Sequence, residues 1–106
     1  MKLQIYTKSR TNTNTYEASA VYEDGKVTVK KGSRININPS DGYNPSVLIK
    51  ELLKDKNVIN TEGILLKDIV FNSLSTSATF VTGRISNGML AWKTLDGKKM
   101  RDIVKS

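Results

Sequence analysis

Residues 84–93 hold four side chains with recognition chemistry: Arg84, Asn87, Trp92 and Lys93. Arginine and asparagine bind guanine and adenine edges in bidentate fashion. Lysine neutralises phosphate, and an indole stacks on a base. A second set lies upstream, with Lys30, Lys31 and Arg34 around Gly32 and Ser33. Between the two sets, residues 73–79 read Ser-Leu-Ser-Thr-Ser-Ala-Thr. Short side chains there, Ser73 and Ser75 among them, would leave backbone N–H groups accessible at a helix start, where the helix dipole favours an anion such as phosphate. Each feature has a plainer reading beside it. Trp92 is equally a core anchor, Arg84 a solvated charge, and Asn87-Gly88 a tight turn with positive φ. The serines equally cap a helix packed closely on a sheet, and the lysines equally guard an edge strand against aggregation.

The residues that are missing narrow the chemistry. The chain has 106 residues and no histidine or cysteine. Ser-His-Asp and Cys-His catalysis are therefore excluded, as are thiolate metal sites. No phosphate-binding P-loop and no G-x-G-x-x-G occurs in the sequence. The carboxylates are scattered, from Glu17 to Asp102, and none forms the dense set a magnesium nuclease needs. The expectation is a chain that is not an enzyme, with no catalytic residue, no metal ligand and no cofactor.

The formal net charge is +7. Residues 1–60 carry 10 basic and 6 acidic side chains, and residues 61–106 carry 7 and 4. There is no detachable basic tail, so any cationic surface must be assembled by folding. Such a balance suits a nucleic-acid partner held through its phosphates. No apolar run is long enough for a transmembrane helix, and residues 1–6 lack the apolar stretch of a signal peptide. A cytoplasmic location with no membrane partner is expected.

The elements that must position these side chains can be read from patterning. Residues 2–6 alternate weakly as a strand, and the polar run 7–14 reads as a loop. Asp24-Gly25 between two alternating runs signals a type I′ hairpin. A two-residue loop pairs Glu23 with Lys26, Tyr22 with Val27 and Ala20 with Val29. Ala20, Tyr22, Val27 and Val29 then share one face, and Lys26, Thr28 and Lys30 the other. Gly32-Ser33 ends or kinks the second strand, and 38–44 is a loop. Asn44-Pro45 reads as the start of a helix over about 45–56, with Leu48, Ile49, Leu52 and Leu53 inward. Residues 64–66 fit either a short strand or a helix-packing segment. Ser73 caps a helix over about 74–82, with Leu74, Ala78 and Val81 on the core and Gly83 closing it. Residues 89–93 read as a strand carrying Trp92. A last short helix spans about 98–105, burying Met100, Ile103 and Val104. The order argues an α+β fold: one small domain, an antiparallel hairpin or sheet packed with two to three short helices. Residues 1–15 form an N-terminal strand and polar loop, and 16–106 the main body.

Several of these residues also carry a resemblance. Phe71-Asn72-Ser73-Leu74-Ser75-Thr76-Ser77-Ala78 is followed by Gly83-Arg84, Asn87-Gly88, Trp92-Lys93 and Gly97-Lys98, with Lys31-Gly32-Ser33 upstream. This pattern resembles the family called domain of unknown function 4357, over about residues 16–105. It departs at Leu74, where proline is expected, and at Thr76 and Ser77, where alanines are expected. The resemblance implies an accessory module of the kind found behind GIY-YIG nuclease domains and in proteins linked to restriction. The serine-rich helix, N-G turn and tryptophan are also similar, more loosely, to the RAMA domain, which implies DNA, unmodified or base-modified, as the partner.

Residues and resemblance together lead to the expectation of a non-catalytic module that binds DNA in a restriction, nuclease or defence setting. Lys30, Lys31, Arg34, Ser73, Ser75, Arg84 and Lys93 would hold phosphates, and Asn87 and Trp92 would approach bases. The alternative is a protein-interaction module that docks on a nuclease or defence component of phage or bacterial origin and inhibits or recruits it. The oligomeric state is open.

Overall fold

The computed structural model describes residues 2–9, 16–37, 46–84 and 87–103. Four strands form one antiparallel sheet in the order β1-β2-β3-β4. They are β1 (Lys2–Lys8), β2 (Glu17–Glu23), β3 (Lys26–Val29) and β4 (Ile69–Phe71). Three short helices accompany them: α1 (Val47–Lys54), α2 (Leu74–Thr82) and α3 (Gly88–Ala91). A 3₁₀ turn at Met100–Asp102 follows. The protein is a compact single α+β domain.

The central hairpin follows from its turn. Asp24 and Gly25 adopt φ of 51° and 82°, the pair of positive values that a type I′ turn requires. The register is Glu23 with Lys26, Tyr22 with Val27 and Ala20 with Val29, as the pattern predicts. Ile5, Ala18, Ala20, Val27, Val29 and Phe71 are buried on the inner face. The edge strand β1 runs further than its apolar alternation suggested. Thr7 and Lys8, expected in a loop, pair with Ala18 and Glu17. Thr7 faces the core and is buried, so a β-branched side chain extends the strand past its last strong hydrophobe. The rest of the expected loop, 10–15, lies outside the described residues.

Helix α2 lies against the inner face. Its Phe80 ring sits 5.1 Å from that of Phe71. Leu74, Ser77, Ala78, Phe80 and Val81 are all buried, so α2 is enclosed on more than one side. Its small residues let neighbouring backbones come close. The caps are those the sequence predicts: Ser73 Oγ accepts from Thr76 N–H at 3.0 Å, and Gly83 closes the helix at φ 74°.

Three expectations need correction. The first helix starts at Val47 with Ser46 as N-cap, and Asn44 and Pro45 lie outside the described residues. Within it Ile49 is buried and Leu52 and Leu53 are half-buried, but Leu48 is 51% exposed. Second, residues 89–93 are not a strand. Asn87 caps α3 by accepting from Met89 N–H at 3.0 Å, and after the extended Trp92 only Lys93 makes β-bridges, to Tyr6 and to Lys99. Third, the last helix shrinks to the 3₁₀ turn, with Met100 fully buried and Ile103 packed on the core; Val104 is outside the described residues. Residues 64–66 resolve as isolated pairings: Ile64 bridges Arg34, and Leu65 bridges Ile59.

Candidate nucleic-acid interface

Strand β1 is an edge of the sheet, and one short contact joins it to the C-terminal segment. Tyr6 N–H donates to Lys93 C=O at 2.7 Å, and Lys93 N–H donates to Tyr6 C=O at 2.9 Å. This pairing brings α3 and the residues after it beside β1. A cleft of about 590 Å³ lies there. Tyr6, Thr7 and Lys8 form one side, Leu90, Ala91, Lys93 and Thr94 another, and Thr82, Arg84 and Asn87 complete it with Tyr16. Three cations, Lys8, Arg84 and Lys93, thus meet around one cavity, and no carboxylate lines it among the described residues. Lys8 makes a 3.9 Å ion pair with Glu17, both side chains being mostly exposed. Such a pair is worth little and yields to a better anion. Of the residues expected at a nucleic-acid site, Arg84, Asn87 and Lys93 converge here.

Arg84 is placed by the end of α2. Asn36 N–H donates to Val81 C=O at 2.9 Å, and its side-chain amide donates to Thr82 C=O, also at 2.9 Å. The last carbonyls of α2 are thereby satisfied. Thr82 Oγ1 then donates to Arg84 C=O at 3.1 Å, fixing the backbone that carries the guanidinium. Asn87 is more constrained than its sequence position suggests. Its carboxamide oxygen caps α3, whereas bidentate adenine recognition needs both ends of that amide.

The remaining expected site residues lie elsewhere. Lys30 Nζ is 3.0 Å from Asp68 Oδ2, and Lys31 N–H donates to Asp68 Oδ1 at 2.7 Å. The Lys31 N–H bond first, and the Lys30 ammonium next, hold the Asp68 carboxyl below its ordinary range. Lys26, on the same hairpin face, stands opposite Glu23. The expected positive stripe is therefore partly neutralised by the protein's own acids. Arg34 donates from Nη1 to Glu62 C=O at 3.3 Å. Exposed Lys31 lines a neighbouring hollow of about 470 Å³ with Lys8, Glu17 and Ser33. The two cavities share Tyr6, Thr7 and Lys8, so Lys8 sits between Lys31 and the Arg84–Lys93 cleft.

Ser73, Ser75 and Trp92 are used inside the fold. Ser73 caps α2 and also donates to Thr76 Oγ1 at 2.8 Å. Ser75 Oγ accepts from Gly88 N–H at 3.3 Å. Gly88 lies so close to the first turn of α2 that a Cβ there would stand 2.5 Å from Ser75 N. The start of α2 is occupied by the chain itself and is no open anion nest. Trp92 has no exposed surface, so it offers no face to a base. Its Nε1–H donates to Ser77 Oγ at 2.9 Å, and Ser77 Oγ–H donates to Leu74 C=O at 2.7 Å. Reasoning from sequence missed Lys8. The signal for it was the β-branched Thr7, which carries β1 past its last strong hydrophobe and puts Lys8 at the end of the edge.

The fold and the cleft define a small α+β domain with a basic cavity at a sheet edge. The described residues contain no group of three or more potential metal ligands and no helix long and apolar enough to cross a membrane. A family model matches residues 9–104, and the chain belongs to that family, DUF4357, a domain of unknown function. No curated protein and no solved structure matches the chain.

Proposed function

We infer that the chain is a non-catalytic binding module whose ligand is DNA, engaged at the cleft between β1 and α3. The observation that carries this is the meeting of Lys8, Arg84 and Lys93 around one cavity that no carboxylate lines among the described residues. Their charges are brought together from distant parts of the chain, and several cations facing one cavity favour a polyanion there. Lys31 extends the path on the far side of Lys8. The family resemblance to modules that accompany nucleases is in keeping with this ligand.

The test is fluorescence anisotropy with labelled DNA across a salt series. If three phosphates are engaged, log K falls against log salt with a slope of about −3 on duplex and about −2 on a single strand. Arg84→Ala/Lys93→Ala should leave about one phosphate contact and flatten the slope in proportion. No binding at low salt, or a slope unchanged in the double variant, would overturn the reading. A second reading, docking on a protein, is favoured by one observation: Val47 and Leu48 of α1 are 70% and 51% exposed. In that case Val47→Ser/Leu48→Ser, and not the cation variant, abolishes partner binding.

A further inference from the structure

Residues 92–100 form a short hairpin whose base is in the core and whose tip is in water. Trp92 and Met100 have no exposed surface, and Met100 N–H donates to Trp92 C=O at 3.1 Å. Lys93 and Lys99 bridge above them. The tip is closed by Gly97 N–H to Thr94 C=O and Thr94 N–H to Lys98 C=O, both 2.9 Å. Thr94 Oγ1 also bonds the Asp96 carboxylate. Leu95, held on this tip, is 84% exposed, the most exposed large hydrophobe among the described residues.

A lone exposed leucine needs no explanation, but the surroundings of this one give it a role. Thr94 and Gly97, on either side of it in the turn, both line the cleft. So does Leu90, itself 39% exposed. Lys93, Lys98 and Lys99 flank it in sequence. Leu95 thus stands on a turn two of whose residues line the cavity, and Leu90 and Ala91 give the cavity an apolar wall. Paired, stacked DNA meets such a wall only with sugar edges and thymine methyls, its base faces being covered by their neighbours. An unstacked base offers its face. A cavity of about 590 Å³ lies within the range of about 300–1,000 Å³ typical of small-ligand sites. It can admit a nucleotide but not a length of duplex.

We propose that the cleft takes one unpaired nucleotide, with its phosphates on Lys8, Arg84 and Lys93, while Leu95 packs against the face of the adjacent base. The ligand class is thus single-stranded or locally unpaired DNA. This rests on the nucleic-acid reading above and goes beyond it.

The test compares three labelled oligonucleotides of one sequence at matched salt: a single strand, its fully paired duplex, and a duplex with one bulged nucleotide. Wild type should bind the single strand and the bulge about tenfold more tightly than the paired duplex. Leu95→Ser should lose about fivefold on the first two, leave the paired duplex unchanged, and keep the salt slope. A thermal melt equal to wild type shows that this exposed substitution leaves the fold intact. Equal affinity for all three DNAs, a preference for the paired duplex, or no effect of Leu95→Ser overturns the proposal and leaves the nucleic-acid reading standing if binding is salt-dependent. Binding to none of the three at low salt overturns both.

Discussion

Gly88→Ala sets two physical effects against each other, and the structure decides between them. Gly88 is the first residue of α3, and its φ is not positive. Helix propensity alone therefore favours alanine by about 1 kcal/mol. Sterics oppose it. The added Cβ would stand 2.2 Å from Leu74 C, 2.4 Å from Leu74 O and 2.5 Å from Ser75 N. Carbon atoms in good contact lie about 3.5–4.0 Å apart, so the two helices must separate by more than an ångström. No side chain can swing aside, because every obstacle is backbone, and α2 is wedged in place by Phe80, Ala78 and Val81, all fully buried. Overpacking of a core costs about 1–3 kcal/mol and occasionally more. Taking the upper figure and subtracting the propensity gain leaves a net loss of about 2 kcal/mol. For a domain of this size that lowers the melting temperature by about 8–16 °C. Calorimetry or urea unfolding measures it. Gly25→Ala is the control: its φ of 82° is strained for alanine, yet nothing lies within 4 Å of the new Cβ. It should cost only the left-handed strain of about 1–2 kcal/mol. An unchanged or raised melting temperature for Gly88→Ala would refute the claim that α3 is seated on the backbone of α2.

Ser77→Ala removes the acceptor of the buried Trp92 N–H and should destabilise the fold by about 1–3 kcal/mol in urea unfolding, the cost of an unsatisfied buried donor. Asp68 supplies a pH dependence. Its folded pKa is lowered by the Lys31 and Lys30 bonds, so its contribution is present above the unfolded value of about 3.9 and is lost as pH falls through the folded value. The stability gap between wild type and Asp68→Asn should therefore be open at pH 7 and close in acid, as melts across the pH range would show. The same variant releases Lys30 from its carboxylate and should raise DNA affinity at low salt. Lys8→Ala should lower the salt slope on a single strand by about 0.7 without altering the melt, because Lys8 pairs only loosely with Glu17.

What was legible in the sequence was local. Asp24-Gly25 set the hairpin and its register, and Ser73 and Gly83 set both ends of α2, because a turn or a cap is decided by a few adjacent residues. Met89 to Trp92 misled because the apolar run is too short for periodicity to separate strand from helix. The decision was made by Asn87, whose oxygen caps the segment, and by Gly88, whose missing side chain lets it reach Leu74. The Gly88 contact is not visible without knowing that α2 is adjacent. Trp92 shows the same limit. Its sequence neighbours, Lys93 and Asn87, suggest a surface, while its indole N–H is committed to Ser77, fifteen residues earlier.

The candidate site followed a different rule from the one charge runs suggest. The upstream basic stretch, Lys30-Lys31 with Arg34, folds against Asp68 and the Glu62 carbonyl. Adjacent cations repel, and a fold lowers that cost by drawing acids and carbonyls to them. The cleft draws its cations singly from three segments, the end of β1, the exit of α2 and the residue after Trp92. Arg84 and Lys93 could be singled out from the sequence, but nothing there joins them to Lys8. They meet through one pair of backbone bonds between Tyr6 and Lys93, and no acid is brought in with them among the described residues that line the cavity. A cavity lined by cations from several segments, with no carboxylate among its described lining residues, attracts an anion. That asymmetry between the hairpin and the cleft, more than the net charge of +7, is what the proposal of a DNA site at the β1 edge rests on.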